Sequence, residues 1–131
     1  MTPILAFDIE TVPDVNGIRL LYDLPASLPD DEVVLFAQQK RRAQNGSDFM
    51  QHHLHQVVAI SCCMRWGQDK IHVGTIGEMH DSEEEMIAKF FDLIESHTPQ
   101  LVSWNGGGFD LPVLHYRALI HGIAAARYWD M

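Results

Sequence analysis

The chain has 131 residues, of which 47% are hydrophobic, and a formal net charge of −9. This size and composition predict one globular domain over residues 1–131 with a single apolar core. No apolar stretch approaches the roughly 20 residues that a membrane-spanning helix needs, and the N-terminus has no basic flank. We therefore expect a soluble, cytoplasmic protein that does not contact a membrane. The adjacent Cys62 and Cys63 are poorly placed for a disulfide and are expected to be small core residues.

The acidic charge at first argues against a nucleic-acid partner, because Lys and Arg contacts to phosphate dominate non-specific affinity. The objection weakens if several acids surround divalent cations, since the ions then set the local field. A phosphate group is able to approach such a site despite the charge of the chain.

The first half of the chain predicts one strand and one helix. Residues 4–10 are apolar on both alternating faces, as in a central strand that is covered on both sides. Three prolines and Asn16-Gly17 indicate an irregular connection over residues 11–29. Residues 30–44 are predicted to be helical, with Asp30 and Asp31 at the start and Asn45-Gly46 at the end.

The second half predicts a hairpin, two helices and a further strand. Residues 56–66 and 71–76 have strand patterns around a turn, and Ser82 with Glu85 forms a capping box for a helix that ends near Thr98-Pro99. Residues 101–104 fit a short strand, residues 105–108 a glycine-rich loop, and residues 109–120 a last helix closed by Gly122. The order of elements predicts an α/β fold with a mixed sheet.

The first candidate site residues stand at the end of the first strand. Asp8 and Glu10 are two residues apart, so their side chains share one face of the strand. Two adjacent carboxylates repel each other and need water, donors or cations as compensation. Oxygen ligands of this kind suit the hard cations Mg²⁺ and Mn²⁺.

A third acid, Asp110, follows the glycine-rich segment. A turn from a strand to a helix opens toward the carboxyl edge of a sheet, where the ligands of α/β proteins usually bind. If the two strands are neighbours, Asp110 faces Asp8 and Glu10 across one crevice.

The same residues have structural interpretations. Asp110 considered alone is expected to cap a helix, and Asp8 with Glu10 fits a solvated strand end as well as a metal site. The glycine triplet alone indicates a flexible turn rather than a phosphate cradle. Two further groups are interpreted as exposed surface rather than as metal or nucleic-acid sites: His52-His53 with His55, and Lys40-Arg41-Arg42.

Taken together, Phe7-Asp8-Ile9-Glu10-Thr11, Trp104-Asn105 and Phe109-Asp110 resemble the first two exonuclease motifs of the DnaQ-like DEDD superfamily. Within that superfamily the chain is similar to predicted 3′–5′ exonucleases related to the proofreading domain of family B DNA polymerases. The paired motifs are more specific than either motif alone. The resemblance implies an RNase H-like mixed sheet flanked by helices.

The resemblance also implies a role for each matching residue. Two Mg²⁺ or Mn²⁺ ions, about 3.5–4 Å apart in such sites, would activate a water molecule and stabilise the attacking and leaving oxygens. The expected substrate is the 3′ end of a single-stranded nucleic acid, with DNA favoured over RNA. The implied metal ligands are Asp8, Glu10 and Asp110, and the implied substrate contacts are Thr11, Asn105 and Phe109.

The chain departs from the family pattern at the third motif, where a Tyr or His four residues before an Asp completes the site. Tyr128 and Asp130 have the wrong spacing. The resemblance thus predicts an amino-terminal portion that lacks the last strand and helix, so the 131 residues alone lack groups that the mechanism uses. Apolar surface exposed by the missing elements would favour self-association.

Two other functions compete with the exonuclease. A hydrophobic strand that ends in Asp8-Ile9-Glu10-Thr11 also resembles the nucleophile motif of haloacid-dehalogenase-like phosphatases, although the second acid of that motif is normally Asp. The third interpretation is a catalytically silent nucleic-acid-binding or assembly module. Phosphatase activity would support the first alternative, and a failure to bind Mn²⁺ would support the second.

Overall fold

One four-stranded sheet organises the chain in a computed structural model that describes residues 2–124. The strands are β1 (Ile4–Pro13), β2 (His55–Trp66), β3 (Lys70–Thr75) and β4 (Gln100–Val102), and the helices are α1 (Val15–Tyr22), α2 (Asp30–Asn45), α3 (Glu83–His97) and α4 (Leu111–His121). The strand order is β3-β2-β1-β4. β1 and β4 are parallel, whereas β2 and β3 form the predicted antiparallel hairpin. The sheet is therefore mixed, as the sequence predicts.

The described residues divide into two compact units, residues 2–11 with 57–124 and residues 12–56. Each unit has its own apolar cluster, which contains Phe7, Ile60 and Phe90 in the first and Ile18, Val33 and Leu54 in the second. The single domain over residues 1–131 stays a prediction. None of the helices in residues 2–124 has the length and apolar character that a bilayer crossing requires.

The prediction that β1 is covered on both sides is wrong. Leu5, Phe7 and Ile9 are buried, whereas Asp8 and Glu10 between and beyond them are exposed. The strand is central in the sheet but packs through one face. The apolar run misled the prediction because Ile4 and Ala6 on the second face are also apolar, although neither is fully buried.

The prediction of an irregular segment over residues 11–29 is also wrong, because it contains α1. The Asp14 side chain accepts a hydrogen bond from the Gly17 backbone N–H at 3.1 Å and caps this helix. A Cβ at position 17 would collide with the Asp14 carboxylate, so the glycine makes room for the cap. Asn16-Gly17 thus belongs to the first helical turn rather than to a β-turn. The prediction of α2 is confirmed, and Gly46 ends this helix in the left-handed conformation with φ of 78°.

Helix α3 closes the core of the first unit, and its prediction is confirmed. The Glu85 backbone N–H donates to Ser82 Oγ at 3.2 Å, so Ser82 caps the helix as the sequence predicts. Phe90 packs edge-on against Phe7 of β1, with ring centroids 5.1 Å apart. This packing fixes the buried face of β1 and leaves the face that carries Asp8 open.

Candidate active site

The candidate site lies beside the end of β4, near the middle of the longer parallel strand β1. Ala6 is the register partner of Val102, which is the last residue of β4. β4 ends level with Ala6, whereas β1 continues to Pro13, so the prediction that Asp8 and Glu10 stand at the end of the first strand is wrong. The two acids share the exposed face of β1 just beyond the level where β4 ends. The adjacency of the two strands, which the sequence left open, is confirmed.

The glycine-rich segment after β4 is a helical turn rather than the flexible loop predicted from its composition. Gly106–Asp110 forms one π-helical turn that runs directly into α4, so the helix begins earlier than predicted. The Leu111 backbone N–H donates to the Gly106 carbonyl oxygen, which is the wide spacing of a π-turn. Turns of this kind inside α-helices often occur at functional sites.

Asp110 lies inside this continuous helix and does not act as the cap that was expected of the residue considered alone. Its backbone is helical, with φ of −58° and ψ of −52°, and its side chain makes no capping hydrogen bond. Only 5% of the residue is exposed. The structural interpretation of Asp110 as a cap is therefore wrong.

The Asp110 carboxyl group lies against the carboxyl group of Asp8. Burial raises the pKa of Asp110 above its ordinary value, and the negative charge of Asp8 raises it further, whereas a hydrogen bond from the Ile9 backbone acts in the opposite direction. A hydrogen bond between the two carboxyl groups also contributes to the raised pKa. Two acids distant in the chain therefore meet at one point, where the ionised form of Asp110 is disfavoured.

One carboxylate oxygen of Asp110 lacks a hydrogen-bond partner among residues 2–124. This oxygen, Oδ2, is buried. A buried polar atom without a partner costs free energy and calls for an explanation such as an ion. In residues 2–124, however, no group of three or more His, Cys, Asp or Glu side chains is arranged to hold a metal ion. Asp8 and Asp110 come together, and Glu10 shares the face of Asp8 without completing such a group.

The three predicted substrate contacts lie on the same two segments as the carboxylates, although Thr11 belongs by strand alternation to the opposite face of β1 from Asp8 and Glu10. Asn105 is exposed and begins the π-helical turn, and its carbonyl oxygen accepts hydrogen bonds from the Gly108 and Phe109 backbone N–H groups. Phe109 is half-buried and packs against the main core, and Thr11 is half-buried on β1. Their roles in binding a substrate stay predictions.

The shape of the π-helical turn leads to a prediction about its glycines. A Cβ at Gly106 would collide with Ser103 Oγ, whereas a Cβ at Gly107 would meet no atom within 4 Å. We expect Gly106→Ala to be less stable than Gly107→Ala by about 0.5–1.5 kcal/mol, because the Ser103 hydroxyl must turn to a less favourable rotamer. Urea denaturation of the two variants measures this difference.

The control for this prediction removes the obstacle. In the double variant Ser103→Ala with Gly106→Ala the colliding oxygen is absent, so much of the lost stability is expected to return. Equal stabilities of Gly106→Ala and Gly107→Ala would contradict the prediction.

A buried ionic cluster that joins α3 and α4 was not predicted from the sequence. Glu83 accepts hydrogen bonds from Arg117 Nη2 at 2.6 Å and from the Val57 backbone N–H at 2.6 Å, and His121 Nε2 lies 2.7 Å from its carboxylate. This cluster ties α4, which follows Asp110, to α3 and β2. No role for Glu83 was predicted from the sequence. The spacing of Arg117 and His121, one helical turn apart, was the available signal.

The other polar groups singled out in the sequence form no metal-binding cluster within residues 2–124. His52 and His53 lie in a 3₁₀ turn and, with His55, are half-buried rather than exposed as predicted. Burial lowers the pKa of His55. Arg41 and Arg42 at the end of α2 bond to Phe49 and Asp48, which fits the prediction of a surface role. Tyr128 and Asp130, which bear on the third motif, lie outside the described residues.

Comparisons with known proteins point in one direction. A family model described as a predicted 3′–5′ exonuclease related to the exonuclease domain of PolB matches residues 47–131. The DNA polymerase 1 of Sulfolobus acidocaldarius is 40% identical over 42 residues, which cover 32% of this chain and 5% of that protein. The DNA polymerase 1 of Sulfurisphaera ohwakuensis is 46% identical over 44 residues, or 34% of this chain and 5% of that protein. The chain thus spans a small part of these curated relatives.

The fold has a counterpart among solved structures. The family B DNA polymerase from the hyperthermophilic archaeon Pyrobaculum calidifontis matches with a TM-score of 0.50 and 21% identity, over 95% of this chain and 12% of that one. At this identity the likeness concerns the fold. The predictions of an RNase H-like α/β fold and of a resemblance to family B exonucleases are confirmed, and the family model favours the exonuclease over the phosphatase.

Proposed function

The chain belongs to the family of predicted 3′–5′ exonucleases related to the exonuclease domain of PolB, and from this premise we propose that it removes nucleotides from the 3′ end of single-stranded nucleic acid. DNA is the proposed substrate rather than RNA. The proposed reaction is hydrolysis of the terminal phosphodiester bond, and it depends on divalent cations.

The meeting of Asp8 and Asp110 supports this proposal most directly. Asp110 is drawn into contact with Asp8 although burial and the charge of Asp8 both disfavour its ionised form. Natural proteins rarely hold two carboxyl groups together unless the arrangement serves a function. A cation between them would remove the repulsion and satisfy the buried Asp110 Oδ2.

The donor atoms fit Mg²⁺ or Mn²⁺. Carboxylate oxygens are the ligands that these hard ions prefer, and Mg²⁺ commonly binds through one or two carboxylates and keeps several waters. Asp8 and Asp110 would hold the proposed ions, with Glu10 as a further ligand from the exposed face of β1. When bound, such ions supply a water of lowered pKa and stabilise negative charge on phosphate oxygens.

The chain itself would orient the substrate. Asn105 lies on the segment that carries Asp110, and its polar side chain would contact the terminal nucleotide, with Thr11 of β1 as a further proposed contact. The buried cluster of Glu83, Arg117 and His121 holds α4 against the rest of the first unit. It keeps Asp110 in place while the strand end enters and leaves.

The test follows single-stranded DNA oligonucleotides labelled at either end during incubation of the full-length gene product with Mn²⁺. Label at the 5′ end is expected to yield a ladder of gradually shorter products, and label at the 3′ end a labelled mononucleotide from the start. EDTA is expected to stop degradation, and Asp8→Asn to lower its rate at least about a hundredfold because it weakens metal binding.

The matched control is Asp92→Asn, which removes an exposed charge on α3 and is expected to leave the rate unchanged. Degradation from the 5′ end, or full activity in Asp8→Asn, would overturn the proposal. Absence of both Mn²⁺ binding and degradation would also overturn it, in favour of a catalytically silent module.

A further inference from the structure

A fully exposed tryptophan stands beside the candidate site. Trp104 is 100% exposed, the largest exposed fraction among the large hydrophobic residues of the described chain. Single hydrophobic residues on a surface are ordinary, but an indole that buries none of its area is unusual, because tryptophan is highly buried on average. Exposure alone does not make Trp104 a binding residue, but its position in the fold also points to a ligand.

Trp104 lies just beyond the end of β4, level in register with Asp8 on the neighbouring strand. Val102 is the register partner of Ala6, and Trp104 and Asp8 each follow two residues later on neighbouring parallel strands. The next residue, Asn105, begins the π-helical turn that carries Asp110. The indole is therefore attached between two segments that converge on the proposed site, close to where a strand terminus would bind.

The neighbouring aromatic residue is less available for contact with a ligand. Phe109 is half-buried and packs against the main core, so part of its ring is already used in folding. The whole side chain of Trp104 is accessible to a ligand, and it does not pack against the core. Since the indole is flat and amphipathic, its natural partner is another flat ring.

The charge of the chain favours a stacking contact. With 9 basic and 18 acidic residues, the protein has few cations to contact a phosphate backbone. Stacking of bases on aromatic side chains adds affinity for single strands without positive charge and tolerates any sequence. We propose that Trp104 is a positioning residue that stacks on a base within the last three nucleotides at the 3′ end of the bound strand, an inference that rests on the proposed function.

The test compares Trp104→Ala and Trp104→Phe with the wild type by fluorescence anisotropy of labelled single-stranded DNA, in EDTA to prevent hydrolysis. Trp104→Ala is expected to bind about tenfold more weakly, the usual scale for losing one stacked base, and Trp104→Phe is expected to recover much of the affinity. The salt dependence of binding is expected to be unchanged, because no phosphate contact is lost. Met79→Ala, at a residue that is 93% exposed, is the matched control and is expected to bind like the wild type.

Oligonucleotides with one abasic nucleotide at each of the last three positions identify the stacked base. With the abasic nucleotide at one of these positions, the affinity of the wild type is expected to fall to that of Trp104→Ala. The affinity of Trp104→Ala is expected to be the same with and without that base. If the wild type binds every abasic oligonucleotide more tightly than Trp104→Ala does, the inference is overturned, since Trp104 would then act through the fold. Equal binding by wild type and Trp104→Ala, with 3′–5′ degradation intact, would overturn the inference and leave the proposed function standing. Dissociation of a wild-type dimer by Trp104→Ala would assign the indole to contact between copies instead.

Discussion

Replacement of Glu83 with Gln is expected to lower the free energy of unfolding by about 3–5 kcal/mol, because it leaves a buried charge without its partner. Glu83 and Arg117 are only 8% and 4% exposed. The Gln carbonyl would still accept the hydrogen bond from Val57, but it would not neutralise the guanidinium of Arg117. Urea denaturation at neutral pH measures the loss.

Two comparisons isolate the cause of this loss. Arg42→Gln breaks a pair with Asp48 whose side chains are 60% and 53% exposed, and it is expected to cost less than about 1 kcal/mol. The double variant Glu83→Met with Arg117→Met removes both charges and is expected to be more stable than Glu83→Gln. A loss for Glu83→Gln no larger than that for Arg42→Gln would contradict the prediction.

Replacement of Asp110 with Asn is expected to have opposite effects on the metal-free and the metal-bound protein. Burial and the charge of Asp8 raise the pKa of Asp110 in the folded state. Ionised Asp110 therefore costs stability at neutral pH, and the folded state regains this stability as the pH falls through the raised pKa. In EDTA at pH 7, Asp110→Asn is expected to have a higher Tm than the wild type. This difference in Tm is expected to shrink as the pH is lowered toward the ordinary pKa range of Asp.

The order of stabilities is expected to reverse when Mn²⁺ is added. Mn²⁺ at about 100 times its Kd would stabilise the wild type by about 2.7 kcal/mol, because it binds only the folded state. Asp110→Asn lacks a ligand, and its Tm is expected to change little. Thermal unfolding with EDTA or Mn²⁺ between pH 4 and 8 tests both effects, and Asp92→Asn is the control. A wild type that is more stable than Asp110→Asn in EDTA at pH 7 would contradict the prediction.

Local patterns were sufficient to predict most elements of the fold. The hairpin of β2 and β3, the capped helix α3 and the basic end of α2 each follow from residues close together in sequence. The same holds for Asp8 and Glu10, whose common face follows from the alternation of a strand. Asp110 became a candidate through its neighbours Asn105 and Phe109, and the pairing of β1 with β4 brings it to Asp8.

Features that depend on contacts distant in sequence were missed. Phe90 of α3 packs against the face of β1 that carries Phe7, and the face that carries Asp8 stays exposed. The residue pattern of β1 alone does not show which of its two faces is covered. Helix α1 was hidden by Asn16-Gly17, whose turn propensity is overridden by the cap at Asp14. The Glu83 cluster joins residues 26 to 38 positions apart, so only the packing of α3, α4 and β2 reveals it.

The parallel pairing of β1 with β4 also constrains when the proposed site forms during synthesis. β1 leaves the ribosome before its partner β4, which begins at Gln100, and Asp110 follows later still. Pairings between segments this far apart form late, because the intervening chain must first be ordered. Nascent chains that end before β4 therefore hold Asp8 without Asp110. Under the proposed function, a divalent ion would therefore bind only after β4 and Asp110 have been made, and it would not guide the pairing of β1 with β4.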